Sequence, residues 1–171
     1  MSDTKVTALT ELTTPGATDV IPIVDNSGTA TTKKIQYSNL KPTKIFTIPF
    51  VIVDTNGQQT ESTSYDNGGY WKISFDSTLF PNATSIKFQV LLQQDNAGTY
   101  MTYCQLLKGD TVVTGSEVSA DLGQYGTSVQ TSGDLTANMY NGASSYRIQL
   151  KAESGGKCNV QNATILVNMS V

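Results

Sequence analysis

Carboxylates are the side chains of this sequence that could support acid–base chemistry. The 171 residues include no histidine, which excludes Ser-His-Asp and Cys-His triads and histidine-ligated metals. Two carboxylates could still serve a glycosidase as acid and base. The candidates are Asp54, Glu61, Asp66, Asp76, Asp95, Asp110, Glu117, Asp121, Asp134 and Glu153. Most lie in turns, where Asp hydrogen-bonds its own backbone. We therefore predict a protein that is not an enzyme, with no catalytic residue, no metal site and no cofactor.

Aromatic residues around the Asn67-Gly68-Gly69 turn form the best candidate binding site. Aromatic rings can stack on sugar rings, and neighbouring amides and carboxylates can hydrogen-bond sugar hydroxyls. The candidate glycan contact consists of Tyr65, Asp66, Asn67, Tyr70 and Trp71. An alternative stays open at this point: Trp71 and one tyrosine would belong to the core, where aromatic residues are common.

The two cysteines, Cys104 and Cys158, lie in runs of alternating apolar residues. Two cysteines are too few for a disulfide scaffold and lack the spacing of metal ligands. Small buried hydrophobes are the favoured interpretation. A bridge between neighbouring strands remains the alternative.

Composition limits the partners and the compartment. Charged residues make up 15% of the chain and the net charge is −3, so nothing favours binding to nucleic acid. No stretch approaches the roughly 18 apolar residues of a membrane helix. The N-terminus lacks the apolar core of a signal peptide. We expect synthesis in the cytoplasm of the producing cell and, if the protein ends outside, release by lysis.

Alternating apolar and polar residues predict strands over most of the chain after residue 43. The predicted strands are 45–53, 70–75, 85–92, 99–107, 111–113, 146–152 and 163–171. Such alternation, with Gly- and Asn-rich turns between the runs, favours antiparallel sheets packed as a sandwich. Pro49 confines the first strand to a sheet edge or a bulge. Residues 117–138 are ambiguous and predict a long connection containing one or two strands.

The first 42 residues are organised differently. They contain two short apolar pieces, 19–24 and 34–35, within Thr-rich loops. So little apolar surface cannot compensate the entropy lost on folding. We predict that residues 1–42 form a docking segment that needs a partner or copies of itself, and that residues 43–171 form the β-sandwich.

The N-terminal run VTALTELTTPGATDVIPIVDNSGTATTKKIQYSNLK resembles a recurring N-terminal segment of accessory virion proteins of tailed phages, including tail and head fibres. The matching positions are Val6, Ala8, Leu9, Leu12, Thr14, Pro15, Gly16, Asp19, Val20, Ile21, Pro22, Ile23, Val24, Gly28, Lys33, Lys34, Ile35, Asn39 and Leu40. The resemblance implies attachment to the particle, often as a trimer. It assigns particle docking to Val20, Ile21, Pro22, Ile23, Val24, Lys33, Lys34, Ile35 and Leu40.

The second half is similar to jelly-roll modules of phage fibres and capsid decorations. The similarity rests on Gln105, Leu106, Gly109, Asp110, Val112, Val113, Gly115, Ser116, Glu117, Val118, Tyr146, Arg147, Gln149, Leu150, Ala163, Ile165, Leu166 and Val167. It implies an all-β chain whose antiparallel β-sandwich is a jelly roll. Jelly rolls host many functions, so this similarity bears on fold more than on activity.

These observations lead to one leading hypothesis and two alternatives. The leading hypothesis is a structural accessory protein of a tailed-phage virion, namely a capsid decoration (cement) protein, a head fibre or a tail fibre. Its expected partners are further copies of itself, as a homotrimer, and the major capsid or tail protein. The first alternative is a fibre module that binds host-surface glycan. The second, least favoured, is a glycan-degrading enzyme.

Overall fold

A computed structural model of the chain describes residues 20–25, 31–36, 45–53, 58–67, 72–139 and 142–170. The chain divides into two compact units. The first comprises residues 1–44 together with Val171, and the second comprises Ile45–Ser170.

The first unit contains an antiparallel pair of strands, β1 (Val20–Asp25) and β2 (Thr31–Gln36). Val20 lies opposite Gln36, and Asp25 lies opposite Thr31. The run of β-branched residues in β1 suits a strand. These two strands, hereafter the N-terminal hairpin, contain every predicted docking residue except Leu40, which lies outside the described residues.

The second unit is built almost entirely from strands. In the part of this unit that the structure describes, two short helical turns accompany them, a 3-10 turn at Ser77–Leu79 and α1 at Thr136–Met139. No helix in the described ranges is long and apolar enough to cross a membrane. The strands are β3 (Ile45–Val53), β4 (Gln58–Thr60), β5 (Asp66–Asn67), β6 (Ile73–Asp76), β7 (Ala83–Gln94), β8 (Tyr100–Lys108), β9 (Thr111–Val112), β10 (Val118–Leu122), β11 (Thr127–Thr131), β12 (Ala143–Ala152) and β13 (Cys158–Ser170).

Two antiparallel sheets form the sandwich. The first sheet has the order β11-β7-β13-β3, with β4 also paired to β13. The second has the order β10-β8-β12-β5, with β6 paired to β12 and β9 paired to β8. If the short strands β4, β5 and β9 are set aside, eight strands of the second unit remain. Numbered one to eight in chain order, they are β3, β6, β7, β8, β10, β11, β12 and β13. In this numbering the first sheet has the order 6-3-8-1 and the second has the order 5-4-7-2. Strand one therefore pairs with strand eight, two with seven, three with six and four with five. This is the pairing of a long hairpin folded over on itself, and it defines a jelly roll.

The alternation in the sequence correctly located the inward face of the long strands. Ile86, Phe88 and Val90 on β7 are fully buried, and Ile148 on β12 is 1% exposed. Burial of each such side chain contributes roughly 1.5–3 kcal/mol. The prediction for Pro49 is also confirmed. It lies in β3, which pairs only with β13 among the described strands and so forms an edge where a missing N–H is tolerated.

The last strand is longer than the sequence indicated, beginning at Cys158 instead of residue 163. Its register against β7 shifts between Val160 and Asn162. Such a bulge puts one extra residue into the strand and interrupts the alternation of buried and exposed positions. Because polar residues surround the bulge, the alternation in the sequence did not predict the first five residues of β13 as strand.

The ambiguous region contains β10, β11 and α1. Beyond β11 the chain continues along the edge of β7. The Ser132 and Leu135 N–H groups donate to the Phe88 and Ile86 carbonyls at 2.8 and 2.7 Å, and side chains accept hydrogen bonds from the N–H groups of β7. The Phe88 N–H donates to Ser132 Oγ at 2.9 Å, and the Ile86 N–H donates to Asp134 Oδ1 at 3.1 Å. Thr136 N–H donates to the same carboxylate oxygen at 3.0 Å. Asp134 thus closes the edge of β7 and begins the short helical turn.

Both cysteines are free and buried. The favoured interpretation as small buried hydrophobes is confirmed, and no disulfide joins them. Burial raises the pKa of Cys158 to about 12, and it raises the pKa of Cys104 well above its usual value. Both thiols therefore stay protonated at neutral pH.

Candidate functional site

Tyr65, just before β5, contacts the outer surface of the second sheet. Its side chain and those of three residues near it form a group that we call the Tyr65 cluster: Tyr65, Tyr103, Glu117 and Lys151. The Tyr65 hydroxyl donates to the Glu117 carboxylate. The Lys151 ammonium lies 4.5 Å from the centroid of the Tyr65 ring and 4.3 Å from that of Tyr103. It also lies 3.9 Å from Glu117 Oε2. Cation–π and ionic contacts thus hold the cluster together.

Electrostatics keep the Tyr65 hydroxyl in its donor form. Partial burial, followed by the hydrogen bond to Glu117 and the negative charge of that carboxylate, raises the pKa of Tyr65 far above its usual value. A phenol in this state can donate a hydrogen bond but cannot act as a base near neutral pH. The Tyr65 cluster is therefore suited to holding a surface together or to contacting a neutral polar ligand.

The predicted glycan contact is only partly described. Asp66 is exposed, and its carboxylate accepts a hydrogen bond of 3.4 Å from the Thr60 hydroxyl. Asn67 lies in β5, opposite Gln149. Tyr70 and Trp71 lie outside the described residues, so the glycan contact stays a prediction. The Lys151 ammonium already contacts the ring of Tyr65, and a sugar would compete with it there.

The predicted docking residues of the N-terminal hairpin pair in register across its two strands. Ile21 lies opposite Ile35. Pro22 and Ile23 lie opposite Lys34 and Lys33. These pairs, which are separated by ten to fourteen positions along the chain, are thereby brought into one small two-stranded sheet.

Most of the described candidate carboxylates have structural partners. Asp110 bonds the Arg147 guanidinium at 2.9 Å. Asp76 caps the 3-10 turn by accepting from the Thr78 N–H at 2.9 Å. Glu153 accepts from the Met101 N–H at 3.0 Å. Among the residues that the structure describes, no group of three acidic or cysteine side chains could hold a metal ion.

The outer face of the first sheet is almost uncharged. Within β3, β4, β7, β11 and β13, as the structure describes them, Lys87 is the sole charged residue. Amides and hydroxyls hydrogen-bond across the strands instead; Asn168, for example, donates to Ser85 Oγ at 2.8 Å. Val51 and Val129 are also exposed on this sheet, at 44% and 59%. Depletion of charge with scattered apolar side chains is typical of the core of a protein interface.

The sequence did not predict the cleft at the end of the sandwich. It has a volume of about 410 Å³ and is lined mainly by neutral side chains from β8, β9, α1 and β12. The charged side chain in its wall is Lys108, the first residue of the Lys108-Gly109-Asp110 turn. Lys108 continues the inward series Thr102, Cys104 and Leu106 of β8. This alternation could have predicted that Lys108 points inward, but the Lys108-Gly109-Asp110 sequence indicated a turn instead.

Fold and site together define a jelly-roll β-sandwich with a separate N-terminal hairpin unit. No protein-family model matches the chain, and no curated protein matches it. Among solved structures it is similar to that of infectious bursal disease virus Gx strain, with 13% identity and a TM-score of 0.37 over 89% of this chain and 37% of that one. It is also similar to the VP2 subviral particle of the same virus, with 10% identity and a TM-score of 0.39 over 90% and 38%. The chain spans less than half the length of these structures. Likeness at this level adds nothing to the jelly roll already defined by the strand order.

Proposed function

We propose that this protein is a non-enzymatic structural accessory protein of a tailed-phage virion, attached to the particle by its N-terminal segment. The N-terminal hairpin is the observation that carries the proposal. A lone two-stranded hairpin is marginally stable in water. Among the described strands β1 and β2 pair only with each other, and they belong to a unit separate from the jelly roll. Such a hairpin gains stability when a partner supplies more strands or an apolar surface, as a docking segment requires.

The resemblance of residues 5–41 to docking segments of phage fibres and decorations supports the same proposal. The partner is then the major capsid or tail protein, and the protein resides on the virion as a decoration, a head fibre or a tail fibre. Lys33 and Lys34 would suit an acidic docking surface. The jelly roll would project from the particle.

A homotrimer is part of the proposal. The almost uncharged face of the first sheet, with Val51 and Val129 exposed, is the surface that fits a second copy of the chain. Val129→Lys should shift the oligomer toward monomer in light scattering, because a lysine buried between copies lacks a counter-charge. Leu79→Lys is the control, since Leu79 is 72% exposed in the 3-10 turn.

Deletion of residues 1–42 tests the docking function. The shortened chain should fold, with the far-UV dichroism of a β protein, yet should not join particles assembled in a host that lacks the full-length protein. A matched control carries residues 1–42 in scrambled order, which keeps length and composition. Normal incorporation of either variant would contradict the proposal.

Glycan binding at the Tyr65–Trp71 turn is the second candidate. The aromatic rings of Tyr65 and Tyr103 on the outer surface of the second sheet are its supporting feature, and a sugar would have to displace the Lys151 ammonium that contacts both rings. Trp71→Ala should abolish retention on a glycan array while leaving the folding transition unchanged. An absence of binding to any host-envelope glycan would exclude this role, and a sugar-release assay would reveal an enzyme.

A further inference from the structure

Lys108 is the unusual feature of the cleft. Its ammonium nitrogen is buried and has no hydrogen-bond partner within the described residues. Withdrawing an ammonium from water without a counter-charge is unfavourable. Buried charges in proteins are normally paired. Lys108 lines the cleft, and its ammonium lies buried beneath the cleft surface without an ion-pair partner among the described residues.

No described residue forms an ion pair with Lys108. The Asp76 carboxylate acts on the opposite residue Tyr146, whose pKa is raised to about 12 by burial and then by that negative charge. Tyr146 lies directly opposite Lys108 in the β8–β12 pairing, but its hydroxyl is also buried without a partner among the described residues. The nearest carboxylate along the chain, Asp110, is bound to Arg147 at 2.9 Å. None of the described residues that line the cleft is acidic.

The remaining lining has the character of a polyol site. Thr111, Thr114, Asn138 and Ser144 supply hydroxyl and amide groups, which can both donate and accept hydrogen bonds. Val112, 44% exposed, supplies an apolar surface for the C–H face of a sugar ring. The volume lies within the range of small-molecule sites. The flexible stem of lysine allows the ammonium to turn toward a ligand in the cleft.

We propose that this cleft binds a sugar acid, with the carboxylate of the sugar paired to the Lys108 ammonium and its hydroxyls bonded to the surrounding Thr, Asn and Ser side chains. A charge-assisted bond to a carboxylate balances the buried ammonium. The site differs from the Tyr65–Trp71 turn. It does not depend on attachment to a particle, so the failure of one proposal leaves the other standing.

Titration of the full-length protein with glucuronate tests the proposal, followed by amide chemical shifts at constant ionic strength. We expect saturable shifts at Thr111, Asn138 and Ser144, and none with glucose at the same concentration. Lys108→Gln should weaken binding on the order of tenfold or more, the loss expected for a charged hydrogen bond. Lys87→Gln is the matched control, because it removes the same charge from the outer face of the first sheet.

A second variant and two further titrations complete the test. Ser144→Ala should weaken glucuronate binding about threefold, as for a neutral hydrogen bond, and it tests the site if Lys108→Gln fails to fold. Acetate and inorganic phosphate are titrated in parallel. Equal shifts with either ion would overturn the assignment to a sugar acid in favour of a small-anion site. Absence of cleft shifts with glucuronate, or unchanged binding in folded Lys108→Gln and Ser144→Ala, would overturn the proposal entirely.

Discussion

The hydroxyl of Tyr65 donates a hydrogen bond to the carboxylate of Glu117, although the two residues are 52 positions apart in the sequence. Tyr65 precedes β5, and Glu117 immediately precedes β10. Lys151 of β12 contacts both of them. The bond therefore joins two connecting segments across the outer surface of the second sheet.

Tyr65→Phe should lower the free energy of unfolding by about 1 kcal/mol, because the Glu117 carboxylate loses a donor at a partly exposed site. Urea denaturation measures the change. A double-mutant cycle with Glu117→Gln isolates the pair, and coupling should be evident. Tyr125→Phe is the control, since Tyr125 is 67% exposed. Strictly additive effects of the two substitutions would show that the bond contributes nothing.

Asp134→Ala should remove part of the acid sensitivity of the protein. Slight burial alone would raise the pKa of Asp134, but hydrogen bonds from Thr136 and Ile86 outweigh it and lower the pKa. A lowered pKa means that the stabilisation is complete above the unfolded value, about 3.9, and is lost as pH falls through the folded value. The variant should be less stable by about 1 kcal/mol at neutral pH and should lose less stability on acidification.

Thermal unfolding between neutral and acid pH measures this difference. Asp121→Ala on β10 is the matched control, because Asp121 is exposed. If the two variants and the wild-type protein lose stability in parallel on acidification, the role of the Asp134 carboxylate at the edge of β7 is wrong.

Cys104 and Cys158 should resist alkylation in the folded protein and react fully after unfolding. Burial keeps both thiols protonated, and the thiolate is the reactive form. The raised pKa values also have a thermodynamic consequence. Stability should fall as pH rises from about 8.5, where unfolded thiols ionise, toward the folded value of about 12 for Cys158.

Thiol labelling under native conditions and denaturant titrations at several alkaline pH values test these statements. Cys158→Ala should flatten the alkaline decline, although the lost packing also lowers stability at neutral pH. Rapid labelling of the native protein at neutral pH would contradict the burial of the thiols.

Gln94→Met should raise the free energy of unfolding by about 1 kcal/mol. Gln94 is fully buried, and within the described residues neither its amide nitrogen nor its amide oxygen has a partner. An unsatisfied buried amide is unfavourable, and methionine fills a similar volume without polar atoms. Calorimetry measures the change.

Gln93→Met provides the matched control at the adjacent position. Gln93 faces the other side of β7 and accepts a hydrogen bond from Gln161. The control should leave stability unchanged or lower it slightly. A loss of stability in Gln94→Met would show that its buried amide is stabilised by a partner such as water.

Local patterns in the sequence determined much of the sandwich. The period of two marked Ile86, Phe88 and Val90 as inward-facing, because successive side chains of a strand point to opposite faces. The same rule located Ile148 and Leu150 in the core. Pro49 indicated an edge strand, because proline has no N–H to donate to a neighbour.

Only the tertiary structure decided which strands pair and which distant side chains meet. Alternation tells which face of a strand is buried but not which strand lies beside it, so the jelly-roll order could be proposed only by resemblance. The bulge in β13 broke the period and concealed the beginning of that strand. The contact between Tyr65 and Glu117 and the unpaired ammonium of Lys108 result from the folding of separate segments onto one another. No local pattern encodes them, because their energies depend on neighbours that the chain brings together only when it folds.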